Sequence, residues 1–184
     1  MTHADDPLQA NASHNAPSDV AHVERRAAGH SNAAAGQSKT AAAEDAQHLA
    51  ERAAEALFTR DAAAKMLGIY IAGVRPGYAR VNMTVRSDMV NGHRICHGGL
   101  IFALADSAFA VSCNSYNEST VAAAASIDFL APAFEGDLLS AEAAELWRSG
   151  RSGIYEVTVA NQRGERIALF RGRSHRISGP VATE

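Results

Sequence analysis

The sequence predicts an α+β fold in which an antiparallel sheet of about six strands curves around one long central helix. Three observations carry this expectation. The segment Gly98 to Cys113 is apolar on nearly every side and too long for a strand, so it reads as a buried helix. Strand-like stretches lie before and after it, each closed by Gly, Pro, Asn or Asp turn signals. A chain of 184 residues with 47% hydrophobic content can bury one core and a short appendage.

Residues 1–45 differ in composition from the rest, being built from Ala, Ser, Asn, His and Gly with almost no large apolar side chain. Such a stretch cannot bury enough surface to fold alone, and it is expected to be a disordered extension preceding a single domain at 46–180. His3, His14, His22 and His30, with His48 just beyond, are irregularly spaced and lack the pattern of a metal site.

A helical pattern begins near Ala46, with Leu49, Ala53, Ala56 and Leu57 as one apolar stripe. Thr59 is the expected N-cap of a following helix through Leu67, which Gly68 would end. Ile69 to Val74 reads as a strand and Pro76-Gly77 as a turn. Ala79, Val81, Met83 and Val85 then alternate with Arg80, Asn82, Thr84 and Arg86, the pattern of a half-buried antiparallel hairpin. After the buried helix, strands are expected at Val121 to Phe129, Leu138 to Trp147, Gly153 to Ala160 and Arg166 to Arg176. Turn signals separate them at Pro132, Gly136-Asp137, Ser149-Gly150 and Gly164.

The formal net charge of −3 and the absence of a Lys/Arg block argue against a nucleic-acid partner. Cys96 and Cys113 read as reduced thiols in a chain whose first ten residues show no charged-then-apolar leader, so a cytoplasmic location is expected. The longest apolar run, Leu100 to Val111, is interrupted by Asp106 and Ser107 and is too short to span a bilayer.

The chemistry concentrates between Asn91 and Asp106. Gly98-Gly99 at the start of the buried helix would let a ligand approach backbone N–H groups where the helix dipole is positive, an arrangement suited to an oxyanion developing on an acyl carbonyl. The competing reading is that these glycines only permit close packing. Asp106 lies eight residues beyond Gly98, about 12 Å along a regular helix, too far for both to touch one carbonyl. Two copies with these helices antiparallel would bring the Gly98 end of one to Asp106 of the other, which predicts a dimer with two shared sites. Alternatively Asp106 is a buried acid satisfied by Asn91 or His97. Burial near Leu104 and Phe109 should raise its pKa, as suits a general base acting on water. His93 and His97 have helical metal-ligand spacing with Cys96 between them, but the loop lacks the acidic or cysteine third ligand of a catalytic zinc, and no metal is expected. His97 could orient the loop or the substrate carbonyl, or serve structure alone. Asn91-Gly92 also reads as a plain turn. No basic environment activates Cys96 as a nucleophile.

The runs Asn91-Gly92-His93, Cys96-His97-Gly98-Gly99, Leu104 to Ala110 and Cys113-Asn114-Ser115 resemble the acyl-CoA thioesterases of phenylacetic acid degradation, which belong to the hotdog-fold superfamily. The likeness continues through Ser126 to Leu130 and Ile167 to Arg176, and covers about Ala46 to the C-terminus. It implies the hotdog fold, homodimers joined edge to edge that associate into a homotetramer, and hydrolysis of acyl-CoA thioesters without a cofactor. It also implies hydroxylated phenylacetyl-CoA derivatives as substrates. By resemblance Asp106 is the catalytic carboxylate, Gly98 N–H polarises the thioester carbonyl, and Asn91 and His97 hold water or substrate. Where relatives place a Ser or Thr on the strand after the helix, this chain has Val121 to Ala125, so either Ser107 or Ser126 substitutes or that contact is absent. Arg148 and Arg151, bracketing Ser149-Gly150, could contact CoA phosphate or be solvated charge, and Arg171, Arg173 and Arg176 carry the same ambiguity. Two rival readings are a hotdog 3-hydroxyacyl-thioester dehydratase using His97 and Asp106 as its acid–base pair, and a non-catalytic acyl-CoA binding protein.

Overall fold

A computed structural model of the chain describes residues 28–183, so residues 1–27 of the expected extension lie outside the described residues. The chain divides into two units between Lys39 and Thr40, and the sheet with its central helix belongs entirely to the second. Helix α1 (Ala28–Thr59) begins upstream of the Ala46 at which the apolar stripe becomes legible. Alanine runs at 33–35 and 41–43 favour helix without supplying any large apolar group. Ala50, Ala53 and Ala54 are buried and Leu57 and Phe58 pack half-buried against the core, so the stripe keeps Ala53 and Leu57 of the one expected and turns toward Ala50 and Ala54 and away from Leu49 and Ala56.

The next helix, α2 (Ala62–Leu67), is capped by Asp61 and not by Thr59. Thr59 closes α1, and the Asp61 carboxylate accepts the Ala64 N–H at 2.9 Å, a favourable cap because it satisfies an orphan donor with a charge at the positive helix end. Gly68 ends the helix in the left-handed conformation, φ 70°, as the sequence predicts. Strands β1 (Tyr70–Arg75) and β2 (Tyr78–Thr84) form the expected hairpin, and Ala79, Val81 and Met83 are its buried face. Gln47 Nε2 reaches from α1 to donate to the Val74 carbonyl at 2.8 Å, so α1 covers part of that sheet edge.

Helix α3 (Gly98–Asn114) is the central helix, and β3 (Thr120–Phe129), β4 (Leu138–Ser149), β5 (Ser152–Asn161) and β6 (Arg166–Arg176) follow it. The strands pair antiparallel in the order β1-β2-β4-β5-β6-β3. Leu104, Ala105, Ala108 and Phe109 of α3 pack against Leu139, Val157, Val159 and Phe170 on the concave side of the sheet. Among the described helices none is long and apolar enough to cross a membrane.

The tightest contact between helix and sheet is at Gly172, where a Cβ would lie 2.9 Å from the Phe109 ring. That ring is itself wedged against Tyr155 and Phe170, with centroids 5.4 and 5.8 Å away, and has nowhere to turn. Gly172→Ala is therefore expected to destabilise the fold by about 1–3 kcal/mol, the usual cost of overpacking. Calorimetry should show a melting temperature lower by roughly 2–10 °C.

At the far end of the sheet, β3 pairs with β6 alone among the described residues, which leave its other edge open. From Val121 to Ser126 the strand is exposed, although five of those six residues are apolar. An apolar edge of this length is unusual in a strand with no further partner.

Candidate active site

The site is built at the N-terminus of α3 by a short loop and a histidine cap. Val90 and Cys96 form an isolated antiparallel bridge, and the five residues between them fold into a turn in which Arg94 N–H bonds to Asn91 O. Arg94 takes the left-handed conformation, φ 61°, that such a turn requires. The Asn91 side-chain oxygen accepts the His93 N–H at 2.9 Å, which pins the loop from inside. Asn91 is thus both the turn residue and the owner of an amide Nδ2 that has no acceptor among the described residues.

His97 is the N-cap of α3. Its Nδ1 accepts the Gly99 N–H at 3.1 Å, and its carbonyl accepts Leu100 N–H and Ile101 N–H. With Nδ1 accepting, the ring proton lies on Nε2, so the exposed edge of His97 is a donor. With Gly99, Leu100 and Ile101 all satisfied, Gly98 N–H is the one first-turn donor of α3 with no acceptor among the described residues.

Asn91 and Gly98 together line a pocket of about 530 Å³, walled by Cys96, Ile101, Phe129 and Leu130. A Cβ at Gly98 would sit 3.0 Å from the tip of the Phe129 ring, so close packing is one reason for a glycine at this position. Burial pushes the Cys96 thiol up to about 11, which leaves it protonated and a poor nucleophile.

Asp106 does not line this pocket. It is half-buried on α3, eight residues from Gly98 and about 12 Å farther along the helix. Loss of water around it raises its pKa, as expected from the sequence, and the negative charge of Asp61 raises it further. Within one chain, then, the structure brings Asn91 and Gly98 together with His97 beside them and leaves Asp106 apart. Ser107 donates its hydroxyl to Ala103 O at 2.8 Å and so is engaged with its own helix, whereas Ser126 is exposed on the open strand β3.

Arg148 is more committed than its place near a strand turn implied. Its guanidinium pairs with Glu118 and lies 4.1 Å from the centre of the Tyr116 ring. Arg151 gives its Nε–H to Arg176 O at 2.9 Å, while Arg176 shares Glu118 with Arg148. Two residues important to the geometry escaped the sequence reading. Phe129 ends an expected strand with nothing to mark it as a pocket wall, and Asp61 showed only an ordinary capping residue type.

The model of the thioesterase superfamily matches residues 93–168. Over 137 residues the chain is 47% identical to the acyl-coenzyme A thioesterase PaaI of Escherichia coli, spanning 74% of this chain and 98% of that protein. The fold superposes on the structure of the E. coli PaaI protein from the phenylacetic acid degradation operon with a TM-score of 0.72 and 48% identity, covering 73% and 97% of the two chains. The TT0310 protein of Thermus thermophilus matches with a TM-score of 0.62 and 37% identity over 64% and 99%.

Proposed function

The chain belongs to the thioesterase superfamily, and we propose that it is an acyl-CoA thioesterase that hydrolyses arylacetyl-CoA, ring-hydroxylated phenylacetyl-CoA above all, to the free acid and CoA. One observation carries the chemistry: Gly98 N–H is left unsatisfied at the positive end of a buried helix, on the wall of a largely apolar pocket. A donor so placed favours the carbonyl oxygen most strongly when that oxygen carries charge, in the tetrahedral intermediate of acyl transfer. Asn91 Nδ2 and His97 Nε2–H are further donors at the same helix end, suited to holding the carbonyl or the attacking water. The pocket volume is in the range of small-molecule sites and its apolar wall suits an aromatic acyl group.

Asp106 serves as the general base. Loss of water and the charge of Asp61 raise its pKa, which strengthens it as a proton acceptor from water. The water oxygen attacks the thioester carbon as its proton passes to Asp106. The tetrahedral intermediate then collapses with cleavage of the C–S bond, and the departing CoA thiolate takes that proton from Asp106, which regenerates the carboxylate. Because Asp106 lies about 12 Å from Gly98 along α3, the base acting at one Gly98 belongs to a second copy, joined through the open edge of β3. The dehydratase reading needs a histidine base, and His97 has its Nδ1 lone pair committed to Gly99 N–H.

A panel of CoA esters, followed by release of free thiol, tests the reading. Hydroxyphenylacetyl-CoA and phenylacetyl-CoA should have the highest kcat/KM, above straight-chain esters of similar size. Saturable binding without thiol release across the panel would overturn it, as would enoyl-thioester absorbance from a 3-hydroxyacyl ester.

A further inference from the structure

We propose that Phe129 sets the preference of this site for aromatic over aliphatic acyl groups, an inference that rests on the thioesterase reading above. Phe129 ends β3, and its ring lies across the side-chain-free face of Gly98. Its three outermost ring atoms stand 3.0, 3.5 and 3.3 Å from where a Gly98 Cβ would be: Cζ, Cε2 and Cε1 in turn. The residue that offers the unpaired N–H is therefore the one the ring touches. A carbonyl bound to that N–H would lie beside Phe129, and with the acyl group turned into the apolar pocket the ring becomes its neighbour.

The position of the ring makes it a wall for the acyl group and not a core residue. Phe129 is 53% exposed, and neighbouring Leu130 is 52% exposed. Phe102, Phe109, Tyr155 and Phe170 stack with one another in the interior, while Phe129 makes no aromatic pair among the described residues. Its ring can therefore accept an aromatic partner from the substrate. An arylacetyl group holds its ring one methylene from the carbonyl, close enough to reach the offset or edge-to-face geometry that aromatic pairs prefer. A straight acyl chain of similar size offers only dispersion contacts to the same ring. Discrimination thus arises beside the polarised carbonyl, where it acts on transition-state binding and on KM together.

The test compares kcat/KM for phenylacetyl-CoA and hexanoyl-CoA in the wild-type protein, Phe129→Ala, Phe129→Leu and Phe129→Tyr. The Leu variant keeps an apolar wall without a ring, and the Tyr variant keeps the ring. The aryl-to-alkyl ratio should fall roughly 3- to 10-fold in Phe129→Ala and Phe129→Leu and stay within about 2-fold of wild type in Phe129→Tyr. In the Leu variant the loss should appear mainly as a higher KM for phenylacetyl-CoA. A ratio unchanged in the Leu variant, or an equal loss for both esters, overturns the role of Phe129 while leaving the thioesterase reading intact. Failure of the wild-type protein to release thiol from either ester removes that reading, and the role of Phe129 with it.

Discussion

Asp106→Asn is expected to lower kcat by about 10³-fold, the usual weight of a general base, while making the protein harder to unfold at neutral pH. The two effects have one cause. Loss of water around Asp106, reinforced by the charge of Asp61, raises its pKa in the native fold above that in the unfolded chain. The native state then binds the proton more tightly, so ionisation of Asp106 opposes folding. Asparagine removes that opposition. The gain in melting temperature should be greatest at neutral and alkaline pH, should shrink as pH falls through the native pKa, and should vanish below the ordinary carboxylate range. In the wild-type enzyme the same raised pKa places the acid limb of kcat/KM above that range. Asp61→Asn separates the two causes, because asparagine caps a helix as well as aspartate does and Ala64 N–H keeps its acceptor. It should move the acid limb to lower pH without changing the plateau. Calorimetry across pH and a pH–rate profile check both expectations, and an Asp106→Asn protein that still turns over at a tenth of the wild-type rate refutes the assignment.

The sequence revealed the fold better than it revealed contacts between distant residues. The central helix and the strands around it could be placed from the sequence because their signals are local. Gly98 opens a continuous apolar run, and each strand is bounded by Gly, Pro or Asp. The face of α1 is hard to read because its fully buried positions, 50, 53 and 54, are all alanine, and alanine recurs on its other faces too. Thr59 and Asp61 are both good cap types, and only the break between α1 and α2 decides between them. The chain motif sets Asn91, Gly98 and His97 close together, but it does not show how their donors are divided. Which N–H remains unsatisfied depends on the rotamer of His97, and no sequence pattern encodes that. The pairing of Arg148 with Glu118 joins residues thirty positions apart and was invisible for the same reason. Phe129 required the register of β3 against α3, which only the folded chain supplies.

A lysine at Ala125 is expected to separate the copies of this protein and to remove most of its activity. Ala125 is exposed on β3, pairs only with Gly172 of β6, and belongs to an alanine run that leaves the strand backbone accessible. A second β3 could lie close along that edge. A lysine would meet its own symmetry mate or be forced from water, the means by which natural edge strands avoid pairing. Light scattering should give a dimer or larger assembly for the wild-type chain and a monomer for Ala125→Lys, with circular dichroism unchanged and thiol release down by about 10²-fold or more. The sharper test mixes two inactive proteins, Asp106→Asn and Gly98→Val, the second blocked because its Cβ would press on Phe129 at 3.0 Å. If each site takes Gly98 from one copy and Asp106 from the other, a mixed dimer contains one site bearing both lesions and one bearing neither. Random reassembly makes half of the dimers mixed, so about one quarter of the wild-type activity should return. If both residues served a carbonyl within the same chain, every site in the mixture would carry a lesion and no activity would return.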